Sequence, residues 1–212
     1  DALKDYLPTV KDSKKTAVVY NIVDFEGIDS QVPQSVTKGD PFLMTVAQHR
    51  KNKNLDLLIR AYGTLHRRDQ LQAKLLIVGS SGPETESLTQ LVTELNLKKQ
   101  VLFLSGLSDG ELRWLYENAS LFVIPSATEG FCLPLVEALT LACPAVCSDI
   151  PIFREVGSSQ CRYFSLAHRD SSHLADAMTT ALSDASCQTQ TTDNRFSKST
   201  ISQQLLDFYR LF

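Results

Sequence analysis

Along most of this chain, short runs of aliphatic and β-branched residues alternate with longer amphipathic stretches. The apolar runs at 17–23 (AVVYNIV) and 41–47 (PFLMTVA) have the length and composition of strands. Leu55, Leu58, Ile59, Tyr62 and Leu65 recur at steps of three and four, which predicts a helix over 54–68. A short apolar run ending in Gly79 predicts a buried strand over 74–79. Leu88, Leu91, Val92 and Leu95 then mark a second helix behind the turn residues SSGPET. Residues 101–104 predict a strand. Ser108 followed three residues on by Glu111 has the form of a capping box, opening a helix through about 118. Residues 121–124 predict a strand stopped by Pro125, followed by a helix over 133–142 and strands over 145–147 and 161–164. Helices are predicted over 174–182 and 201–211, with a polar loop over 184–200 between them. Residues 1–16 are polar and rich in Lys and Asp, with the character of a linker to something upstream. Because the chain opens on Asp1 rather than Met, it is expected to be part of a longer polypeptide.

Strands that are apolar throughout, separated by helices, predict an α/β fold. The architecture is a Rossmann-like three-layer α/β/α arrangement with a mainly parallel sheet, over one domain spanning 17–212. Ligands of such sheets bind beyond the carboxyl ends of the strands, so the chemistry is sought in the residues that follow each strand.

Composition narrows the options. The chain has 212 residues, 43% hydrophobic and 21% charged, which suits one large domain with a core of its own. A net charge of −3 removes the electrostatic case for a broad nucleic-acid surface. No apolar run reaches the ~18–20 residues of a membrane span. The five cysteines are odd in number and sit mostly in apolar contexts. They are expected to be reduced and largely buried, in a cytoplasmic compartment. No second Cys or His pair complements Cys143 and Cys147 as a zinc site. No glycine-rich dinucleotide fingerprint follows the first strand, and neither a P-loop nor a nucleophile elbow occurs.

Two loops remain. After the strand at 41–47 comes Gln48-His49-Arg50-Lys51-Asn52-Lys53-Asn54, three cations at a strand end just before a helix. That is the composition of a phosphate-binding turn, and equally that of a solvated basic turn. After the strand at 121–124, Glu129 and Glu137 flank Gly130, Phe131, Cys132, Leu133 and Pro134. Pro134 suits a first helical turn, and the N–H groups of 130–133 at a helix start favour an anion. Eight residues put the two carboxylates of order 10 Å apart along a helical path, too far for an acid–base pair on one bond. They suit two hydrogen-bonding hooks on an extended ligand, or a cap and an ordinary helical glutamate.

The stretch from Glu129 to Glu137 resembles the E-x7-E motif of retaining GT-B glycosyltransferases, in particular glycosyltransferase family 4 (group 1). Further stretches resemble that family in order: Val19 to Asp24, Thr45 to Tyr62, Leu76 to Gly82, Val101 to Gly106, Pro144 to Asp149, Glu155 to Gly157, and Phe196-Ser197. The resemblance covers 17–212 and implies the donor-binding, C-terminal half of a GT-B fold. It further implies binding of a UDP- or GDP-sugar without a metal or other cofactor, and transfer of a hexose to a saccharide or lipid-linked acceptor with retention. Glu129 would bind hydroxyls of the donor sugar and Glu137 those of the ribose. Lys53 would neutralise the departing diphosphate, and backbone N–H groups from Gly130 through Phe131 and Cys132 to Leu133 would hold sugar and phosphate oxygens. The base would lie near Phe103 and Leu104. Where the family has Gly-Arg this chain has Ala47-Gln48, so Gln48 would donate a neutral hydrogen bond and Arg50 or Lys51 would supply the second cation. The same resemblance implies a partner, an acceptor-binding domain ahead of residue 17, through which the protein could sit peripherally at the cytoplasmic membrane face. A non-catalytic nucleotide-binding or assembly module with the same fold is the competing expectation.

Overall fold

The sheet has six strands: β1 (Phe42–Val46), β2 (Lys74–Val78), β3 (Val101–Leu104), β4 (Leu121–Ile124), β5 (Ala145–Ser148) and β6 (Cys161–Phe164). Their order is β3-β2-β1-β4-β5-β6, and every pairing is parallel. The computed structural model describes residues 17–184 and 194–210. These fall into two units, one within 25–193 that carries the whole sheet and one drawn from 1–24 and 194–212.

Helices α1 (Leu55–Arg67), α2 (Thr85–Glu94), α3 (Asp109–Asn118), α4 (Leu133–Thr140), α5 (Pro151–Gly157) and α6 (Ser171–Ser183) complete the larger unit. The near-continuous burial of the strands follows from cover on both faces, which is why they read as unbroken apolar runs. On one face Leu43, Leu75, Ile77, Leu121, Val123 and Val146 pack with Leu58, Ile59 and Tyr62 of α1 and Leu174 and Met178 of α6. On the other, Phe42 stacks on Trp114 of α3 at 5.9 Å, and Phe122 meets the edge of Tyr116 at 5.3 Å. The predicted capping box is present: Ser108 Oγ accepts from the Glu111 N–H while Glu111 Oε2 accepts from the Ser108 N–H.

Two expectations change, and one helix is added. The run at 17–23 is not a strand. A strand exists only when paired, and here Val18 is 80% exposed while the Val23 N–H donates to the Phe196 carbonyl, within the smaller unit. Helix α5 has no counterpart in the periodicity, because seven residues opened by Pro151 are too few to show a repeat. The last helix, α7 (Lys198–Tyr209), begins inside the stretch expected to be loop, where Ser197 Oγ accepts from the Thr200 N–H at 3.3 Å. The expected linker 1–16 and Cys187 lie outside the described residues. Among the described residues no helix is long and apolar enough to cross a membrane.

Candidate functional site

From β1 the chain moves outward to β2 and β3, then returns to β4 on the other side of β1. The strand order therefore reverses between β1 and β4, the switch point at which ligands of such sheets bind, beyond the carboxyl ends of the strands. Both loops singled out from the sequence, 47–54 and 125–132, leave the sheet here.

The two loops are stitched together. Lys53 Nζ pairs with Glu129 Oε1 at 2.6 Å, with the side chains only 20% and 10% exposed. Asn54 Nδ2 donates to the Pro125 carbonyl at 2.9 Å, Asn52 Nδ2 to the Thr128 carbonyl at 3.2 Å, and the Ala127 N–H to the Asn52 carbonyl at 2.8 Å. From the far side the Ser148 hydroxyl of β5 donates to the Ser126 carbonyl. Asn54 sits in the left-handed region at φ 47°, ψ 38°, a conformation asparagine tolerates better than most side chains. It turns the chain from a short 3-10 turn (Lys51–Lys53) into α1.

A cavity of about 400 Å³ opens beside the 47–54 loop, lined by Val46, Ala47, Gln48, Arg50, Asn52, Lys53, Gly79 and Pro134. Gly79 is required here. Its φ is +151°, and a Cβ would collide with the Ala47 carbonyl. Of the two substitute cations, Arg50 lines this cavity, while Lys51 lines a smaller neighbouring one with Asp56, Glu84 and Arg169.

Glu129 and Glu137 are held by different partners. Glu137 of α4 accepts from the Tyr116 hydroxyl at 2.7 Å, and burial pushes its carboxyl above the ordinary range. Between them Cys132 takes φ 69°, ψ 71° ahead of α4, a left-handed conformation costly for a side chain such as cysteine. Its thiol is pushed up to about 12 by burial, with the Glu129 carboxylate adding to the shift. Cys143 and Cys147 are buried and Cys161 half-buried, all as free thiols.

Phe103 and Leu104 lie outside the lining of the large cavity. The Phe103 ring meets the edge of His49 at 5.4 Å, and the Leu104 carbonyl accepts from the Gly79 N–H at 2.8 Å. His49 is itself almost fully enclosed, with Nδ1 bonded to Thr85 Oγ1 at 2.8 Å, and burial lowers its pKa. The contributions of Asn52, Asn54, Tyr116 and Ser148 are invisible to periodicity. Only the placement of Asn52 and Asn54 around Lys53 hints at them.

A doubly wound α/β domain with a basic and an acidic loop facing across its switch point defines the class. Within that class, the chain belongs to the glycosyl transferases group 1, whose profile matches residues 28–202. It is 35% identical over 136 residues to the N-acetylgalactosamine-N,N'-diacetylbacillosaminyl-diphospho-undecaprenol 4-alpha-N-acetylgalactosaminyltransferase of Campylobacter jejuni, covering 64% of this chain and 35% of that protein. It is 36% identical over 145 residues to the O-antigen chain mannosyltransferase RfbU of Salmonella typhimurium, covering 68% of this chain and 38% of the relative. The matched region thus spans little more than a third of the length of these curated relatives. Among solved structures, Anabaena HepE in complex with UDP and glucose superposes with a TM-score of 0.76 at 22% identity, over 93% of this chain and 57% of that one. Sucrose-phosphate synthase from Thermosynechococcus elongatus gives 0.75 at 22% identity, over 98% and 55%. The fold is that of GT-B glycosyltransferases, a three-layer α/β/α sandwich on a six-stranded parallel sheet.

Proposed function

We propose that this chain is the donor-binding half of a retaining glycosyltransferase, holding a nucleoside-diphosphate hexose in the crevice between β1 and β4. The observation that carries the reading is the Lys53–Glu129 pair at the mouth of that crevice, beside a cavity of about 400 Å³. A lysine and a half-buried carboxylate held together without ligand are the two groups a sugar diphosphate would separate. Lys53 would turn to the diphosphate and Glu129 to hydroxyls of the sugar. Gln48 and Arg50 line the same space and would complete the phosphate contacts, so the diphosphate charge is assigned to side chains rather than to a metal ion. The N–H groups of Gly130, Phe131, Cys132 and Leu133, at the start of α4, would take sugar and phosphate oxygens. Glu137 would take the ribose hydroxyls, and the base would rest near Phe103 and Leu104.

In the transfer step an acceptor hydroxyl bonds to the anomeric carbon as the bond to the diphosphate oxygen breaks. The diphosphate leaves with the electron pair, and the acceptor proton passes to it. The protein's part is orientation and stabilisation of charge on the leaving group. The acceptor would be a saccharide or a lipid-linked saccharide, as the names of the relatives suggest. It would be bound by a second domain at the cytoplasmic membrane face.

Calorimetric titration of UDP, GDP and ADP and their sugars into wild type, Glu129→Ala and Glu137→Ala tests this. One nucleotide should saturate the wild type, in EDTA as in its absence. Glu137→Ala should weaken nucleotide and nucleotide sugar together, and Glu129→Ala should abolish the preference for the sugar over the bare nucleotide. No saturable binding by any of them overturns the reading. The neutral Gln48 in the cavity favours one other reading, a nucleotide-binding module without transferase activity. Saturable binding with no transfer in the full-length protein would select it.

A further inference from the structure

Tyr116 has no place in the reading of the sequence, yet it holds the one glutamate of the motif that Lys53 does not. It lies on α3, 1% exposed, with its ring set against the edge of Phe122 in β4. Its hydroxyl has a single proton to give and directs it to Glu137 Oε2 at 2.7 Å. Glu137 itself is half-buried, so the bond to Tyr116 anchors one of its two carboxylate oxygens while the side chain is not sealed in the core. We infer that Tyr116 is the positioning residue for Glu137, fixing the plane of its carboxylate so that it presents its free oxygen to a vicinal diol on the bound nucleotide. The inference rests on the proposal that Glu137 binds ribose hydroxyls.

The physical case has two parts. A glutamate side chain has three rotatable bonds, and locking it in place on binding costs side-chain entropy. A carboxylate already held by a short bond to an enclosed phenol has lost much of that freedom in advance. The bond also supplies a donor to a charge that burial disfavours, offsetting part of that penalty and favouring the ionised, stronger acceptor. Tyr116 is 1% exposed and its hydroxyl proton is committed to Glu137, so its effect on a ligand has to pass through Glu137.

Tyr116→Phe removes only the hydroxyl and keeps the ring against Phe122, so the core should still fold. The test compares each nucleoside diphosphate that binds wild type with its 2′,3′-dideoxy analogue, by calorimetry. Tyr116→Phe should weaken the ribonucleotide three- to tenfold and leave the dideoxy analogue within twofold of wild type. In a Glu137→Ala background the same change should have no further effect on affinity. Equal losses for the two nucleotides, or a loss that persists beside Glu137→Ala, would mean that Tyr116 acts through packing and overturn the assignment. So would an unchanged ribonucleotide affinity in a folded Tyr116→Phe chain. A wild type that binds ribo- and dideoxynucleotide equally well overturns the ribose role of Glu137 while leaving the donor site standing. A wild type that binds no nucleotide overturns the donor site itself, and either result removes this assignment with it.

Discussion

Lys53 and Glu129 are 76 residues apart and meet at 2.6 Å with little solvent around them. Either one alone would leave a partly desolvated charge, so single truncations should cost more than the pair is worth. We expect Lys53→Ala and Glu129→Ala each to destabilise by about 1–2 kcal/mol, and the double variant to lose less than their sum by about 1 kcal/mol or more. Urea denaturation of the four proteins measures this, and strict additivity would rule the coupling out. Glu137 gives a pH signature. Its folded pKa is raised above the unfolded value, chiefly by burial. Below the ordinary carboxylate range both states are protonated and nothing is lost. As pH rises through that range the unfolded chain ionises first, so stability falls until the folded group ionises too. Glu137→Gln should therefore be relatively more stable at pH 8 than at pH 4, and a difference independent of pH would contradict the burial argument. The sequence brought both glutamates and Lys53 into view by spacing and resemblance. It could not show that Lys53 and Tyr116 divide the two carboxylates between them, because those contacts join residues 76 and 21 positions apart.

At the scale of elements, the site is two loops clamped by side-chain amides. Asn54 combines a left-handed backbone with a buried bond to the Pro125 carbonyl. Asn54→Ala should cost about 2–4 kcal/mol, from the backbone strain and the orphaned carbonyl together. Asn54→Gly should cost about 1 kcal/mol less, since glycine keeps the turn and loses only the bond. Chemical denaturation separates the two, and equal losses would show that the turn carries no strain. Gly79→Ala should be more damaging still, because the new Cβ meets the backbone oxygen of Ala47 rather than a side chain that can swing away. Most elements were readable from periodicity because both faces of the sheet are covered and the helices are amphipathic. The run at 17–23 misled for the same reason in reverse, since β-branched composition states a preference for pairing but supplies no neighbour. Helix α5 escaped because its seven residues span about two turns.

For the molecule as a whole, ligand binding in the crevice should register as stability. A nucleotide at a hundred times its dissociation constant adds about 2.7 kcal/mol to unfolding if it binds only the folded chain. The melting temperature should rise with the nucleotide that binds in calorimetry, and Glu137→Ala should flatten the response. A shift of the same size in that variant would place the ligand elsewhere.

What the sequence determined by itself was the layering and the chemistry at the strand ends. Apolar runs of strand length between amphipathic helices can be buried only as a covered parallel sheet, and right-handed crossovers leave few ways to connect it. The residues after each strand follow from chain order alone, so Lys53, Glu129 and Glu137 were visible as candidates. Only the tertiary structure decided which strand lies beside which. The reversal between β1 and β4 brings the basic and acidic loops to one crevice, and it rests on the register of Leu43 with Leu121 and Met44 with Phe122. Those pairings depend on side chains nearly eighty residues apart filling one core together, and no local pattern encodes such a contact.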